Sequence, residues 1–579
     1  MRKFLFLFVF ISTFSFAQET QTPAQRDPYL QNTNKGTPQK SNTNNTVKII
    51  NADEFKKDTK YDGREYMVGN VQIEHQGSIL FADEVVIYRD ENFVKAIGNT
   101  KIVSTDGSII TAAEMEYDSS SQKGVARKNV ILNDSKGTII KTETMYYDRA
   151  SNKAFYNTGG TIDDGKSVTY SKSGTYLLTS RTIDLSGTVK IDDKDYTLVG
   201  DNVVQNQNTN VVDIDGYTTI TNKKNPKNRI ITEKGTYSMN SKEAFLTKNS
   251  RIYYNDKILT GDKLYFNQIT GFGTGTGNVT IDDPLEKRYM KGGYGEIFEK
   301  KDSAMMTKSP YAVKILEKDS IYFAAEKILS YQKQDLKSIK KTYLRAYKKA
   351  RIYKSNAQAR ADSIAFNETD GVMHMYTAPI LWSGEKQVTG DKVEVYMNTE
   401  TKNIDSLKVL GNAFAISKAD SLNNKDEFNQ VKGKLMAVYY EGKQIKEIKV
   451  IGNAQAISYV DEQNEKTKEN VRTGIALTSC GIIGSLFEEQ RLQIISCSIG
   501  AASTLYPMSK ISPEQKKFPQ YNWNTKDRIR KWQDILVDTP DYPEIKYETD
   551  NELFDSAQDV INKAREKEEA KKPKRVKKQ

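Results

Sequence analysis

The sequence has little of the chemistry on which metal sites and covalent catalysis depend. Its 579 residues include two cysteines and two histidines, and the histidines, His75 and His374, have no further cysteine or histidine at ligand spacing. Zinc coordination needs such clusters, and no Gly-x-Ser-x-Gly nucleophile motif stands out. We therefore predict a protein that is not an enzyme, with no catalytic residues, no metal and no cofactor.

Acidic pairs are the remaining candidates for catalysis. They are Asp163-Asp164, Asp192-Asp193 and Asp282-Asp283, and each comes just before or within a predicted turn. Aspartate favours turns because its carboxylate accepts hydrogen bonds from the following backbone amides. Paired carboxylates also hydrolyse glycosides, so an exported carbohydrate-active β-helix stays open as an alternative, although the turn role is favoured.

Long apolar runs are absent except at the start of the chain. Residues 4–16 are apolar, follow two basic residues and end beside the small residue Ala17, which is the pattern of a cleavable export signal over residues 1–17. This run is too short to span a bilayer, and no later stretch is long enough. We expect an exported mature chain that is soluble.

What the sequence does have is a short cassette that returns about every 30 residues. In each cassette an apolar alternation is broken by Gly-Asn, or once by Lys-Asn, and then resumes. The cassettes lie at Gly69-Asn70, Gly98-Asn99, Lys128-Asn129, Gly277-Asn278, Gly411-Asn412 and Gly452-Asn453. A repeat this short cannot bury a core alone and must stack on its neighbours. We therefore predict an all-β fold, an extended array of stacked ~30-residue repeats.

The alternation places apolar residues at every second position, as expected for strands with one buried face. The glycine of each cassette shares that inward face, so the strand can bend there without crowding the interior. The predicted bend glycines are Gly69, Gly98, Gly277, Gly411 and Gly452. The predicted inward-facing residues are Val71, Ile73, Val94, Ala96, Ile102, Val130, Leu132, Val189, Ile191, Val279, Ile281, Val409 and Val450. They either fill a dry core or line a trough that accepts acyl chains.

A second element alternates with the cassettes, an apolar strand that carries one acidic residue and then an aromatic one. Its acids are Asp83, Glu114, Asp201, Asp262, Glu326 and Asp391. Catalysis needs a few acids in one cleft, whereas these recur with the period of the repeat. We interpret them as a structural ladder at the bends.

The composition along the chain predicts five segments. After the export signal, residues 18–46 are rich in Gln, Thr, Asn and Pro and are expected to be a flexible leader. Residues 47–330 and 331–507 form the first and second parts of the β-array. Residues 508–579 are an irregular cap followed by a basic tail.

The two cysteines and the charge complete the picture. Cys480 and Cys497 lie nearly equidistant from a predicted turn, so they either form a disulfide across a hairpin or are two small buried apolar residues. The net charge of +11 favours an acidic glycolipid or membrane surface over nucleic acid as the partner.

The alternation of Gly-Asn-Val-x-Ile cassettes with Ala-Asp or Gly-Asp and a following tyrosine, behind an export signal, resembles the periplasmic lipopolysaccharide-transport family LptA/OstA, in its long multi-repeat form. The resemblance covers about residues 47–507 and implies an open β-jelly roll, or β-taco. It also implies a periplasmic bridge that shields the acyl chains of lipopolysaccharide or lipooligosaccharide, joined end to end by strand pairing to other β-taco domains. A closed β-solenoid rod without lipid carriage is the alternative.

Overall fold

The computed structural model describes residues 27–30, 47–401, 403–419, 426–463, 470–488 and 491–536. The predicted export signal, most of the predicted leader and the basic tail lie outside these residues. The chain divides into two compact units, residues 1–224 and 225–579. The boundary that we predicted at 330/331, between the first and second parts of the β-array, lies inside a strand, Lys327–Gln334. It divides the array at a different place from these two units and stays a prediction.

Unit 1 consists of antiparallel strands joined by short turns. The strands are β1 Lys48–Asn51, β2 Glu54–Lys57, β3 Glu65–His75, β4 Ser78–Tyr88, β5 Phe93–Val103, β6 Ile109–Asp118, β7 Lys123–Asn133, β8 Ile139–Asp148, β9 Lys153–Tyr156, β10 Gly160–Asp163, β11 Ser167–Ser171, β12 Ser173–Leu177, β13 Thr182–Asp193, β14 Tyr196–Asn206 and β15 Val211–Asn222. Short 3₁₀ turns lie at Pro28–Leu30, Thr59–Tyr61 and Arg89–Glu91.

Unit 2 continues the same plan. Its strands are β16 Arg229–Ser238, β17 Glu243–Lys248, β18 Arg251–Tyr254, β19 Lys257–Thr260, β20 Lys263–Asn267, β21 Phe272–Asp283, β22 Arg288–Phe298, β23 Ser303–Thr307, β24 Tyr311–Ile315, β25 Ser320–Ala324, β26 Lys327–Gln334, β27 Lys340–Tyr347, β28 Ala350–Lys354, β29 Ala357–Ala361, β30 Ser363–Asn367, β31 Val372–Tyr376, β32 Ile380–Ser383, β33 Lys386–Thr389, β34 Lys392–Met397, β35 Ile404–Lys418, β36 Phe428–Glu441, β37 Gln444–Gln463, β38 Asn470–Glu488, β39 Arg491–Ser498 and β40 Ala502–Pro507. Its 3₁₀ turns are Glu299–Lys301, Glu514–Lys516 and Trp532–Leu536.

These strands confirm the predicted all-β array of stacked repeats. Neighbouring strands of a unit pair in an antiparallel sense, as β3 does with β4 and β4 with β5. Strands β3, β5 and β7 begin at Glu65, Phe93 and Lys123, so one repeat is two strands and occupies about 30 residues.

Several long strands, among them β3, β5, β7, β21, β35 and β37, are interrupted near the middle by a two-residue bulge, which we call the corner. In β21, Thr276 pairs with Tyr294 and Val279 with Gly292, so two residues oppose one at this point. The two residues, Gly277 and Asn278, have φ angles of 74° and 47°. Left-handed φ values at successive positions favour glycine and asparagine over other residues, which explains the Gly-Asn sequence of the cassette.

The acid of the neighbouring strand packs directly over the corner. A Cβ atom on Gly277 would overlap the Oδ2 atom of Asp262, so glycine is required for space as well as for backbone conformation. The carboxylate of Asp262 accepts a hydrogen bond of 3.1 Å from Asn278. Equivalent asparagine-to-aspartate hydrogen bonds join Asn70 to Asp53 at 2.9 Å, Asn99 to Asp83 at 2.9 Å and Asn412 to Asp391 at 3.0 Å.

At two corners that contain lysine, the neighbouring acid is glutamate. Lys128, with a φ of 66°, forms an ion pair of 2.6 Å with Glu114, and Lys349 forms one of 3.1 Å with Glu326. The hydrogen bond from Lys128 lowers the pKa of Glu114. The longer glutamate side chain reaches the cation while leaving room for the lysine Cβ. The recurring acids therefore bind the corner of the next strand, as a ladder at the bends.

After β40, residues 508–536 first pack on β37 and β38 through Ile511 and then run back along unit 2. Gln430 donates to the Lys516 carbonyl at 2.8 Å and accepts from the Phe518 amide at 2.9 Å. Gln387 makes the same pair of bonds six residues further along this segment: it donates to the Asn522 carbonyl at 2.7 Å and accepts from the Asn524 amide at 2.9 Å. We call residues 508–536 the strap.

The strap lies here because this outer sheet face is apolar. Phe414, Ile416 and Phe428 are buried beneath its aromatic residues, and Trp532 stacks on Tyr322 with 5.3 Å between ring centroids. At the last strands, the structure joins Cys480 of β38 and Cys497 of β39 in a disulfide with Cα atoms 5.9 Å apart.

The geometry of the corner predicts that replacing two different glycines by alanine lowers stability by different amounts. Gly277→Ala should lower the free energy of unfolding by roughly 2–4 kcal/mol, because it adds a clash with Asp262 to the strain of a left-handed alanine. Gly384→Ala is the matched control in unit 2, since Gly384 has a φ of 52° and open space around its missing Cβ, and should cost about 1–2 kcal/mol. Urea unfolding measures both.

A double substitution tests the pairing rule itself. Gly277→Lys combined with Asp262→Glu recreates the corner seen at Lys128 and Glu114. The double variant should be more stable than the sum of the two single variants by about 1 kcal/mol or more. Additive free energies in this cycle would show that the acid and the corner are not coupled.

Candidate functional site

The candidate site is the inward face that the bent strands enclose in each unit. Eleven of the predicted inward residues are no more than 4% exposed: Val71, Ile73, Ala96, Val130, Leu132, Val189, Ile191, Val279, Ile281, Val409 and Val450. Val94 and Ile102 are half-buried. The enclosed face is therefore apolar, and water reaches little of it.

Side chains from the two halves of a strand meet just inside the corner. A Cβ atom on Gly275 would lie 2.9 Å from a methyl group of Val279, which follows the same corner, and one on Gly295 of the next strand would lie equally close to it. The glycines at alternate positions in β21 and β22 thus make room for Val279. The interior near the corner is filled by side chains.

The strand ends form two rims. In unit 1 the first rim consists of the turns at residues 89–92, 119–122, 149–152, 178–181 and 207–210. The second rim consists of the turns at residues 76–77, 104–108, 134–138, 164–166 and 194–195. Because the strands fold at their corners, the rims can approach each other.

Arg149 of the first rim holds the second rim through backbone carbonyls. Its guanidinium donates to the His75 carbonyl at 3.0 Å and to the Gln76 carbonyl at 2.7 Å. The His75 ring packs edge-on against Tyr117 with centroids 5.6 Å apart. Burial, helped by the charge of Arg149, lowers the pKa of His75, so this imidazole is neutral at pH 7.

A second contact between the rims is centred on Asp134. Its carboxylate accepts a hydrogen bond of 2.7 Å from the Tyr176 hydroxyl and forms an ion pair of 3.2 Å with Arg181. Arg181 also donates to the Thr138 hydroxyl at 2.8 Å. Burial alone would raise the pKa of Asp134, but the hydrogen bonds from Tyr176 and from the Thr138 and Lys136 amides lower it below its ordinary value.

Unit 2 has a rim contact of the same kind. Arg288, beside the turn at 284–287, forms an ion pair of 2.7 Å with Glu368 of the opposite rim. Lys314 reaches the same carboxylate at 3.1 Å. The interior of each unit is thus closed in this structure by polar contacts, most of them made by a basic residue.

The acidic pairs lie at turns, away from the interior. Asp164 accepts from the Ser167 amide at 2.7 Å and Asp193 from the Tyr196 amide at 2.6 Å. These bonds account for the pairs as turn formers and give no support to paired-carboxylate catalysis.

The rim residues Arg149, Asp134, Arg181 and Arg288 escaped sequence reasoning. Their partners lie some 40 to 80 residues away along the chain, and no local motif marks them. Only the strand register together with the angle at the corner would bring them together.

The first part of the array matches a known family. Residues 44–201 match a family described as "OstA-like protein". The chain therefore carries an OstA-like domain, and the resemblance drawn from the cassettes is confirmed over residues 44–201. No curated protein matches the sequence.

The solved structures that match include one titled as the crystal structure of LptH, "the LptA homologous periplasmic component of the conserved lipopolysaccharide transport device from Pseudomonas aeruginosa". The identity is 12%, the match covers 26% of this chain and 95% of that chain, and the TM-score is 0.20. Among the described residues, no helix has the length and apolar character needed to cross a membrane.

The rim contacts predict that Arg181 limits access to the interior. A cysteine replacing the buried Leu132 should react slowly with a water-soluble thiol reagent. Arg181→Ala should raise that rate about tenfold or more, because the closed state loses an ion pair and a hydrogen bond. Arg64→Ala is the matched control, since Arg64 pairs with Glu91 on the same rim at 3.5 Å. Equal rates in all three backgrounds would contradict the assignment.

Asp134 also predicts a dependence of stability on pH. Its folded pKa lies below the ordinary value of about 3.8, so the unfolded chain binds this proton first as the pH falls. The stabilisation is complete above that ordinary value and is lost below it. Unfolding free energies from pH 7 to pH 2 should therefore fall less steeply at the acid end for Asp134→Asn than for the wild type. Parallel curves would rule out this role.

Proposed function

We propose that this protein is a periplasmic carrier that shields the acyl chains of lipopolysaccharide or lipooligosaccharide on its inward face during transport to the outer membrane. The observation that carries the proposal is the apolar inward face enclosed by bent strands in each unit. The OstA-like match over residues 44–201 supports the class of cargo.

The chemistry of the interior suits acyl chains. Burying one methylene group contributes about 0.8 kcal/mol, so a lipid tail gains several kilocalories per mole when it leaves water. The interior is already packed, so the tail replaces contacts between side chains and the walls of the unit move apart. Loss of those contacts offsets part of the gain, which keeps binding reversible.

The rims provide the route for this movement. Opening breaks a small number of polar contacts, made by Arg149 and Arg181 in unit 1 and by Arg288 and Lys314 in unit 2. Once the rims part, these cations lose their partners on the opposite rim, beside the emerging headgroup, while Arg288 keeps Asp283 and Lys314 keeps Glu286 on their own rim. Arginine in particular binds phosphate through paired hydrogen bonds, so the residues that close the rims are suited to hold the phosphates of the cargo.

The terminal strands are suited to join further β-taco domains. At one end, Ile50 of β1 and Phe55 of β2 are exposed, and both strands pair with β3. At the other, Ile494 of β39 and Leu505 of β40 are exposed, and in the described part of the chain these strands pair with β38 alone. Exposed strand edges bind other strands by backbone hydrogen bonds.

A structural rod with a permanently dry interior is the second candidate. The near-complete burial of eleven inward residues favours it. The two candidates differ in whether the interior ever opens to lipid in the living cell.

Photo-crosslinking from inside the strands separates the two functions. A photoreactive residue at Ile73 or Ile281 should form adducts with lipopolysaccharide in cells, because these side chains face the interior. The matched controls are Gln72 and Thr280, the preceding residues on the same strands, whose side chains point outward. Adducts should be at least about fivefold fewer at the controls.

Two results would contradict lipid carriage. One is the absence of adducts at Ile73 and Ile281 in a chain that retains its β circular dichroism. The other is equal labelling at the inward and outward positions. Either result would favour the dry rod.

A further inference from the structure

Residues 27–30, Asp-Pro-Tyr-Leu, fold back onto the outer sheet face of unit 1. They fall within the segment that composition predicted to be a flexible leader, and the 16 residues that follow them, 31–46, lie outside the described part of the chain. Leu30 is 1% exposed and is packed with Phe93 and Val125. This leucine is therefore as well buried as a core residue of the array.

The aromatic residue beside it fits an aromatic pocket. Tyr29 meets Tyr146 and Phe155 edge-on, with ring centroids 5.2 and 5.3 Å apart. The Lys123 ammonium lies over the Tyr29 ring at 4.8 Å. Such ring and cation contacts have preferred geometries and therefore select an aromatic side chain at this position.

An acid completes the recognition. Asp27 forms an ion pair of 2.5 Å with Arg127, and its other carboxylate oxygen accepts the Tyr29 amide at 2.9 Å. Arg127 also lies 3.3 Å from the buried Glu116, which fixes the guanidinium in place. The three side chains of the segment thus meet three different chemical surfaces.

The segment behaves as a ligand, since its own fold depends on the surface that it binds. Its single internal backbone bond closes one turn, from the Leu30 amide to the Asp27 carbonyl at 2.9 Å. The 16 residues that follow can span about 50 Å when extended, so the link to β1 does not dictate where the four residues dock. Without them, Phe93, Val125 and Tyr146 would form an apolar patch on the outer face of unit 1.

We propose that this surface, which we call the aromatic pocket, is a docking site for short peptides in which an acidic residue precedes an aromatic residue and a leucine, and that residues 27–30 are its resident ligand. The pocket binds this segment of its own chain, and the same motif on another chain binds there by displacing it. The inference does not depend on lipid carriage.

The test uses a fluorescent peptide of residues 25–32 and the full mature chain. The tethered segment competes at an effective concentration of about a millimolar, so the wild type should bind the free peptide weakly. Leu30→Ala removes the competitor and should raise the peptide affinity at least about tenfold. Tyr29→Ala, a second way to empty the pocket, should do the same if Leu30→Ala does not fold.

Further variants locate the binding site. In the Leu30→Ala chain, Arg127→Ala should reduce the affinity about tenfold, and a peptide carrying Asp27→Asn should lose affinity to a similar extent. The matched control is Phe245→Ala, which removes a 54% exposed aromatic residue from a comparable sheet face of unit 2 and should change nothing.

Two results would overturn the proposal. The first is a folded Leu30→Ala or Tyr29→Ala chain that binds the peptide no better than the wild type does. The second is binding that Arg127→Ala leaves unchanged while Phe245→Ala abolishes it, because the peptide would then occupy a different surface.

Discussion

The structure depends on one contact, the packing of an acidic side chain over a left-handed two-residue corner in the next strand. At Gly277 and Asn278 the backbone turns because these residue types tolerate positive φ, and Asp262 fixes the turn by filling the space above the missing Cβ. The contact recurs at several corners of each unit and bends the strands there, although a lysine side chain replaces the acid over Gly187 and Gly452. The inward faces then oppose each other, and an ordinary antiparallel sheet becomes an enclosure.

The polar contacts at the rims follow from this geometry. Folded strands bring their two ends together, and the array uses basic residues such as Arg149 and Arg181 to hold them. A closed interior secured by a few charged side chains at its rims differs from a sealed core, because separating the rims breaks polar contacts whose groups water can then solvate. The same cations are available to anionic headgroups once they are released. Closure and cargo binding would then use the same residues.

Much of the fold could be predicted from particular residues. The spacing of the cassettes predicted the strand period. Apolar residues at every second position, such as Val71, Ile73 and Ala96, predicted which face of the strands is buried. The recurrence of Asp83 and Asp262 indicated a ladder of acids at the bends. Three features could not be predicted. Arg149 contacts His75 only because of the angle at the corner, the strap returns along the array through Gln387 and Gln430, and residues 27–30 dock far from their position in sequence. Each depends on a surface that exists only after the strands have stacked.

The most direct test of the account is the distance between the rims of unit 1, measured by pulsed electron paramagnetic resonance with spin labels at Ser135 and Ser180. Both residues are exposed, and they adjoin Asp134 and Arg181, which form the 3.2 Å ion pair. If the strands are bent at the corner, most of the measured distances between the two labels should lie well below roughly 36 Å, the length of an unbent eleven-residue strand. A single population at or above that length would contradict the folded-strand enclosure and, with it, the carrier built on it.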